Sequence, residues 1–504
     1  MVPVSLFVEL LRTRPMVLFW TMAVLQVMLW TLVPVLFYSA PPGQLPMVLA
    51  VGHEFQFGSE FGPPLAFLLA DLVFRFAGVA GVYLLSQLCI VVTFWAVMAL
   101  GRAVVGATHA VIAVLLMAGV AVYLLPTVEF GPAILATPLW ALILFHFWQT
   151  IDGGRWFNWI ALGFEAGLLL LTSHAGLLLV GSLGLYALGR RFGRERIVDT
   201  VGPWIAGIVA VVVLFPYLIW LDLSGPVRLL DLAAIIDNLR GYGWLLAALL
   251  AAHFGLGILV MLGRGYVVPS RGTRPEIIRA PAKMGARGFA YFFALVPALV
   301  MTLFALIARR PDNLVAAPLA VMSGLAVVMA AGERVKLAHQ YLIGYVWAIL
   351  LIAPPLLVGL AIMIQPWIFA IDLQVNRPTA EIGRFLGDNF QRRTGRPLAV
   401  VAGDPVLAAP VAMSAPNRPS LYLESTPGFL PAITKAQVIE KGAVVLWFAN
   451  DTGGRPPPEI VRQFPDLVPE VPQAFLRRFQ GRMEPMRVGW GMIRPATQSG
   501  AHQP

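Results

Sequence analysis

Charge and sulfur are both scarce in this chain, and each shortage removes a class of explanation. Only 12% of the 504 residues are charged, whereas about a quarter are in an ordinary soluble domain. One cysteine, Cys89, lies inside an apolar run, so the sequence supports neither a disulfide framework nor a cysteine-based metal site, and the residue is assigned to packing. The seven histidines are scattered without an HExxH pair, which excludes a zincin-type centre; no metal ligand is assigned, and a divalent cation held by carboxylates stays open. There is no internal repeat, heptad pattern or glycine-rich phosphate loop, and spacings such as Gly181 to Gly184 belong with helix packing. No short apolar core followed by a small-residue cleavage site opens the chain, so the run from Met16 to Phe37 is expected as a retained first span.

Apolar residues are what the chain has in excess. They make up 59% of it, and the mean hydropathy of +0.78 implies a polytopic α-helical membrane protein. A net charge of +10 would point to nucleic acid in a soluble chain; here it reads as Lys and Arg held in cytoplasmic loops, and no nucleic-acid partner is expected. Apolar runs fall near 16–38, 78–100, 107–126, 131–149, 157–172, 174–189, 201–221, 241–262, 288–308, 314–331 and 340–369. At 1.5 Å per residue most can cross a hydrocarbon core of about 30 Å, giving about eleven to thirteen transmembrane helices. The last run contains Pro354 and Pro355, so it reads as one kinked helix or a span with a re-entrant piece. Pro63 to Phe76 is too short and, with Asp71 and Arg75, too charged for a span; it reads as an interfacial helix.

Counting Lys and Arg in alternate loops orients the chain. With the N-terminus inside, sixteen fall in inner loops, including Arg194, Arg196, Arg271 and Arg274, and five in outer loops, Arg75, Arg228, Arg240, Arg309 and Arg310. This asymmetry predicts a cytoplasmic N-terminus, with the loop 39–77, the turn at Glu129, the turn at His174 and an odd-numbered chain's C-terminus on the external side. From Asp372 the apolar runs shorten. Thr379 to Gly395 has helical spacing and ends on glycine, while PLAVVAG, PSLYLES and GAVVLWF read as buried strands. The expected organisation is therefore a transmembrane domain over 1–371, a small external α/β domain over 372–494 and a disordered tail over 495–504.

Carboxylates beside a bilayer must be solvated, paired or functional. Eight fall on or near the external side: Glu54, Glu60, Asp71, Glu129, Asp222, Asp231, Asp237 and Asp312. Asp222, Asp231, Asp237 and Asp312 read as solvated. Glu54 and Glu60 sit among Phe55, Phe57 and Phe61, which predicts partly enclosed carboxylates whose pKa could rise toward that of a general base; an ion-paired loop residue is the alternative. Glu129 lies in a short turn, as a solvated residue or a site residue. His174 has no nearby His or Cys and reads as a packing or hydrogen-bonding histidine, with ligand contact the competing reading. His53, beside Glu54, could pair with a charge or meet an anionic headgroup.

The loop then becomes recognisable. SAPPGQLPMVLAVGHEFQFGSEFGPPLAFLLAD resembles the first external loop of the bacterial GT-C membrane glycosyltransferases related to lipid A aminoarabinose transferase, galacturonic acid transferases and protein O-mannosyltransferases, where it reads PPLD, WGREWQLGY and KHPPL. The likeness continues through TVEFGPAILATPLWAL, RWFNWIALGFEAGLLLLTSHAG and GPWIAGIVAVVVLFPYLIW, and into GRPLAVVAGDPVLAAPVAM, NRPSLYLES and GAVVLWFAND. Glu54 and Gln56 match the Glu and Gln of GREWQ, Pro63 and Pro64 the Pro-Pro pair, and Glu129 the acidic residue of the second external turn. The chain departs from the pattern where PPLD has Asp and it has Gln44, and where KHPPL has Lys and His and it has Phe61 and Gly62. His53 replaces an Arg, and His174 falls where Lys-Tyr is common.

The resemblance implies a GT-C-like fold in a bacterial inner membrane with a periplasmic C-terminal domain. It implies transfer of a sugar from a polyprenyl-phosphate donor to a lipid, cell-envelope glycolipid or polysaccharide acceptor such as lipopolysaccharide, in contact with membrane lipids. Glu54 and Glu60 are the candidate acid/base pair, and His53, Gln56, Glu129, His174 and Gln44 are candidate substrate contacts. Two other readings stay open: a catalytically degenerate GT-C-fold lipid-binding or envelope-assembly protein, motivated by the lost Asp, Lys and His, and a transporter, disfavoured by the poverty of ionisable residues within the spans and the lack of an inverted repeat.

Overall fold

The computed structural model describes residues 5–153, 155–191, 200–224, 235–266, 275–307, 317–424, 431–449, 453–465 and 467–496. Asp231, Asp312, Arg194, Arg196, Arg228, Arg271, Arg274, Arg309, Arg310 and the expected tail beyond 496 lie outside these residues. Seven described helices are long and apolar enough to cross a membrane: Pro15–Phe37, Leu65–Val105, Pro132–Ile151, Gly202–Ser224, Ile235–Arg264, Ala286–Ile307 and Gln340–Ile368. The remaining runs expected as spans near 107, 157, 174 and 314 form shorter apolar helices, Ala107–Met117, Trp156–Leu170, Gly176–Gly189 and Ala317–Ala331. The run expected over 107–126 ends early because the chain turns between Met117 and Tyr123, while the turn at Leu171 to Ala175 falls where the turn at His174 was expected. The Pro354-Pro355 run is a single helix of 29 residues, Gln340–Ile368. At 1.5 Å per residue it is about 44 Å long, more than a bilayer core requires.

Two compact units emerge from the chain's own contacts. One comprises residues 1–32 and 83–357. Its interior carries an unusual run of polar side chains: Gln26 Nε2 donates to Gln87 Oε1 (3.3 Å) and to the Tyr123 carbonyl (3.0 Å), and Gln87 Nε2 donates to Thr127 Oγ1 (3.1 Å). An amide in an apolar bundle needs such partners, since an unpaired one costs several kcal/mol there. The chain of bonds fixes the turn that carries Glu129. His146 and Glu165 pair at 2.8 Å between Pro132–Ile151 and Trp156–Leu170. Two strands, β1 (Glu276–Ile278) and β2 (Arg334–Lys336), join antiparallel.

The second unit comprises residues 33–82 and 358–504, so the first loop and the C-terminal segment fold together. Its sheet has six strands, β3 (Val400–Gly403), β4 (Ser420–Leu421), β5 (Ala443–Phe448), β6 (Val468–Pro469), β7 (Gln473–Phe475) and β8 (Met486–Ile493), in the order β4-β3-β5-β8-β6, with β7 also on β8. β4, β3 and β5 run parallel, and β8 is antiparallel to β5. The three apolar runs expected as strands contain β3, β4 and β5. Val400, Ala402, Val445 and the fully buried Trp447 make the core with Ile460 and Phe464. The expected helix at Thr379 is Thr379–Thr394, closed by Gly395 in the left-handed region at φ 69°.

Against this sheet the loop forms helix Leu45–His53, which packs on helix Pro405–Ser414. The next helix, Leu65–Val105, is two segments turned at Gly78 (φ 60°, ψ −162°), so the stretch expected as a separate short helix before Phe76 is one. Gly52 meets it closely: a Cβ there would stand 2.1 Å from the Phe67 carbonyl oxygen. Asp71, on that segment and 2% exposed, accepts from Arg75 Nε at 2.5 Å and from Arg418 Nη2 at 2.6 Å. Arg418 lies over the Phe74 ring at 4.5 Å, with its own backbone held at φ 43°. A non-glycine residue in that region is strained by about 1 kcal/mol or more, which the buried pair must offset.

Substitutions at Gly52 and at the Asp71–Arg418 pair test this packing. Gly52→Ala should destabilise by about 1–3 kcal/mol through overpacking against main chain, whereas Gly181→Ala, with nothing within 4 Å of the added carbon, should leave the thermal midpoint in detergent unchanged. Arg418→Met keeps a side chain over Phe74 but leaves Asp71 with Arg75 alone, and should cost about 3 kcal/mol; the double change Asp71→Leu, Arg418→Met should recover most of that loss.

Candidate functional site

Helix Leu45–His53 ends at Glu54, and the chain then turns through Phe55, which sits at φ 52°. A short bridge between Ser59 and Gly62 closes the loop before Pro63. This folding brings Glu54, Gln56 and Glu60 into one cleft of about 50 Å³, with Ser59 and Phe61 beside them. The far wall is Leu421 and Leu423, at and just beyond β4, with Pro431 and Ala432. All of these residues belong to the second unit.

Within the cleft Glu54 is the distinctive group. Its Oε1 is buried and has no hydrogen-bond partner. Burial raises its pKa above the ordinary carboxylate value; the Ser420 hydrogen bond and the charge of Lys441 pull it back, and Asp71 pushes it further up. The enclosing surface differs from the expected one. Phe55 and Phe57 are 66% and 55% exposed, so of the three neighbouring rings only Phe61 lines the cleft. Ala50, Val51 and the β4 wall supply the rest of the enclosure, and the chain turns at Phe55.

The remaining candidates divide by position. His53, one residue earlier on the helix, looks to Asp71, with Nδ1 at 3.9 Å from Oδ1. That is too far for a hydrogen bond, and Nδ1 has none. Burial and the positive charge of Arg418 lower the His53 pKa more than Asp71 raises it, so the ring is neutral and the contact is not a charge pair. Gln44 stands exposed at the start of the same helix and makes no capping bond. Ten residues of helix rise put it about 15 Å from Glu54, outside the cleft.

Glu129 and His174 belong to the first unit. Glu129 is exposed on the turn fixed by Thr127. His174 shares a 2.7 Å hydrogen bond between Nε2 and the Tyr217 hydroxyl, the hydrogen-bonding role weighed for it from sequence. Asp222 and Asp237 are exposed, as expected of solvated carboxylates. Asp71 and Arg418 were not legible as a pair; the one available signal was an acidic residue, Asp71, amid an apolar run with Arg75 four residues on. Among the described residues no group of three His, Cys, Asp or Glu side chains is placed to hold a metal ion.

What the arrangement can do chemically follows from the buried Glu54 carboxylate, whose Oε1 has no partner. A buried, weakly compensated Glu is suited to accept a proton from a hydroxyl brought to it, and Gln56 and Glu60 offer an amide and a second acceptor beside it.

Comparison with known proteins gives three findings. Residues 62–220 match the family model described as dolichyl-phosphate-mannose-protein mannosyltransferase. Two crystal structures of ArnT from Cupriavidus metallidurans superpose over almost the whole chain, each at 12% identity and a TM-score of 0.55. The one bound to undecaprenyl phosphate covers 97% of this chain and 99% of its own, and the apo form 96% and 99%. No curated protein matches in sequence. At this identity the likeness carries the fold, and the expected resemblance to the GT-C glycosyltransferases is borne out by both the family pattern and the architecture. The chain is thus a multi-pass membrane protein of the GT-C fold, with the dolichyl-phosphate-mannose-protein mannosyltransferase pattern in its residues 62–220.

Proposed function

We propose that this chain is a membrane glycosyltransferase that moves a sugar from a polyprenyl-phosphate donor to a cell-envelope glycolipid or polysaccharide at the periplasmic face of a bacterial inner membrane. The observation that carries the reading is the buried Glu54 oxygen without a partner, in a cleft shared with Gln56 and Glu60, on a fold seen in an ArnT structure that holds undecaprenyl phosphate. The acceptor hydroxyl gives its proton to the Glu54 carboxylate as its oxygen attacks the anomeric carbon. The bond between that carbon and the phosphate oxygen breaks, and the lipid leaves as the phosphate. Glu60 and Gln56 orient the sugar or acceptor hydroxyls, and the apolar helices accommodate the polyprenyl tail. A divalent cation is not required by this reading.

The second reading, a GT-C fold that binds lipid without transferring sugar, draws on Gln44, Phe61 and Gly62 standing where the resembled family has Asp, Lys and His. The two separate in one assay, with purified protein, native lipid extract and mass spectrometry of glycolipids. Transfer that falls by about 10²–10⁴ in Glu54→Gln supports the first reading. Lipid retained with no turnover, and turnover restored by Gln44→Asp, supports the second.

The pH dependence of Glu54 gives an independent check. Because the folded state binds this proton more tightly than the unfolded chain does, stability falls as pH rises from the ordinary carboxylate pKa to the raised one, and is level above it. Transfer has the opposite slope, rising through the raised pKa as the base form appears. Glu54→Gln should remove both slopes, leaving a protein that is at least as stable at neutral pH yet inactive. A variant that lost activity together with stability would assign Glu54 to folding instead.

A further inference from the structure

The first unit contains a larger cavity, about 380 Å³, that the proposed transfer does not use. Its body is lined by apolar side chains such as Leu115, Leu259, Val328 and Trp347, all buried. The Trp347 indole is already satisfied, donating Nε1 to the Leu115 carbonyl at 3.0 Å, so it presents only its ring. None of the buried polar side-chain atoms left without a partner among the described residues belongs to the lining. Water would therefore find few anchors in the body of this cavity, and hydrocarbon fits it.

The rim differs in kind. Arg264, Tyr266 and Arg334 border the cavity and are exposed. Among the described residues neither arginine makes an ion pair or a side-chain hydrogen bond. These are two cations at the mouth of an apolar chamber, one where helix Phe254–Arg264 stops and one where β2 begins. The volume is about that of a dozen methylenes, each near the roughly 30 Å³ of a liquid water, which suits one acyl chain.

We infer that this cavity is a binding site for one anionic phospholipid, with an acyl chain inside and the phosphate on Arg264 and Arg334. The arginine-rich loops expected in the cytoplasm assign the lipid to that leaflet, where basic pockets between helices take anionic headgroups. The site is separate from the Glu54 cleft in chemistry, since its cations face a phosphate and it has no acid among its lining residues.

The test uses the full chain, delipidated in mild detergent and titrated with phosphatidylglycerol under native mass spectrometry. Wild type should retain one phosphatidylglycerol, and Arg264→Gln with Arg334→Gln should weaken it roughly tenfold or more. Val328→Trp, which fills the chamber and keeps both arginines, should also abolish retention; because the arginines are exposed, their variant stays informative if the tryptophan variant misfolds. Phosphatidylcholine should bind wild type no better than the double variant. Equal retention of phosphatidylglycerol by wild type and the double variant, equal binding of phosphatidylcholine, or displacement of phosphatidylglycerol by equimolar undecaprenyl phosphate would overturn the assignment. None of these readouts depends on sugar transfer, so the transferase reading stands or falls separately.

Discussion

A carboxylate that is 2% exposed cannot stand in a protein interior without cations, and Asp71 draws one of its two from 347 residues away. Arg75 is local, one helical turn on, and half-exposed. Arg418 comes from the C-terminal segment, so the loop and that segment must meet for either to be complete. Two residues beyond Arg418 the chain enters β4 at Ser420, which bonds Glu54, and the next residue, Leu421, walls the cleft. The ion pair thus fixes the register in which β4 faces the end of helix Leu45–His53. The cleft is made by that register, since one wall belongs to the loop and the other to the sheet.

Much of this organisation is written in local patterns. Hydropathy alone is enough to identify a polytopic membrane protein, and Val400–Gly403 and Ala443–Phe448 read as strands because they are continuous apolar runs bounded by glycine, as central parallel strands are. β8 was not legible, and the reason is specific. Met486–Ile493 contains Gly489 and Gly491, which read as breakers. In the sheet Gly489 is paired with Trp447, and a Cβ there would stand 2.1 Å from the Trp447 ring nitrogen. The glycine makes room for the largest side chain of the core, a requirement set by a residue 42 positions earlier. The span near 107 is shorter than expected for a related cause, because its apolar run continues past the turn that ends helix Ala107–Met117.

The site was legible in part. Glu54, Gln56 and Glu60 lie close in sequence, and the loop does bring them together. What the sequence misjudged was part of their surroundings: of the neighbouring phenylalanines Phe61 does line the cleft, but Phe55 takes a left-handed conformation and both it and Phe57 are exposed. The rest of the shielding comes from Leu421 and Leu423, which no local window could connect to residue 54. Asp71 was missed in the same way. An acidic residue in a short amphipathic segment has a solvated reading close at hand, and only the distant arginine makes it structural.

His53 and Glu54 are consecutive, yet they end one helix facing two different environments, and this separation explains how each keeps its protonation state. His53 faces Asp71 with Arg75 and Arg418, a cluster of one negative and two positive charges. The surplus positive charge, together with burial, keeps the ring neutral. Glu54 is turned toward β4, where the pull of the Lys441 charge is weaker than the push of burial. Had Glu54 faced Arg418, the pair would have held it ionised and weakly basic. Burial therefore sets the direction of the Glu54 shift, while Arg75 and Arg418 are engaged by Asp71.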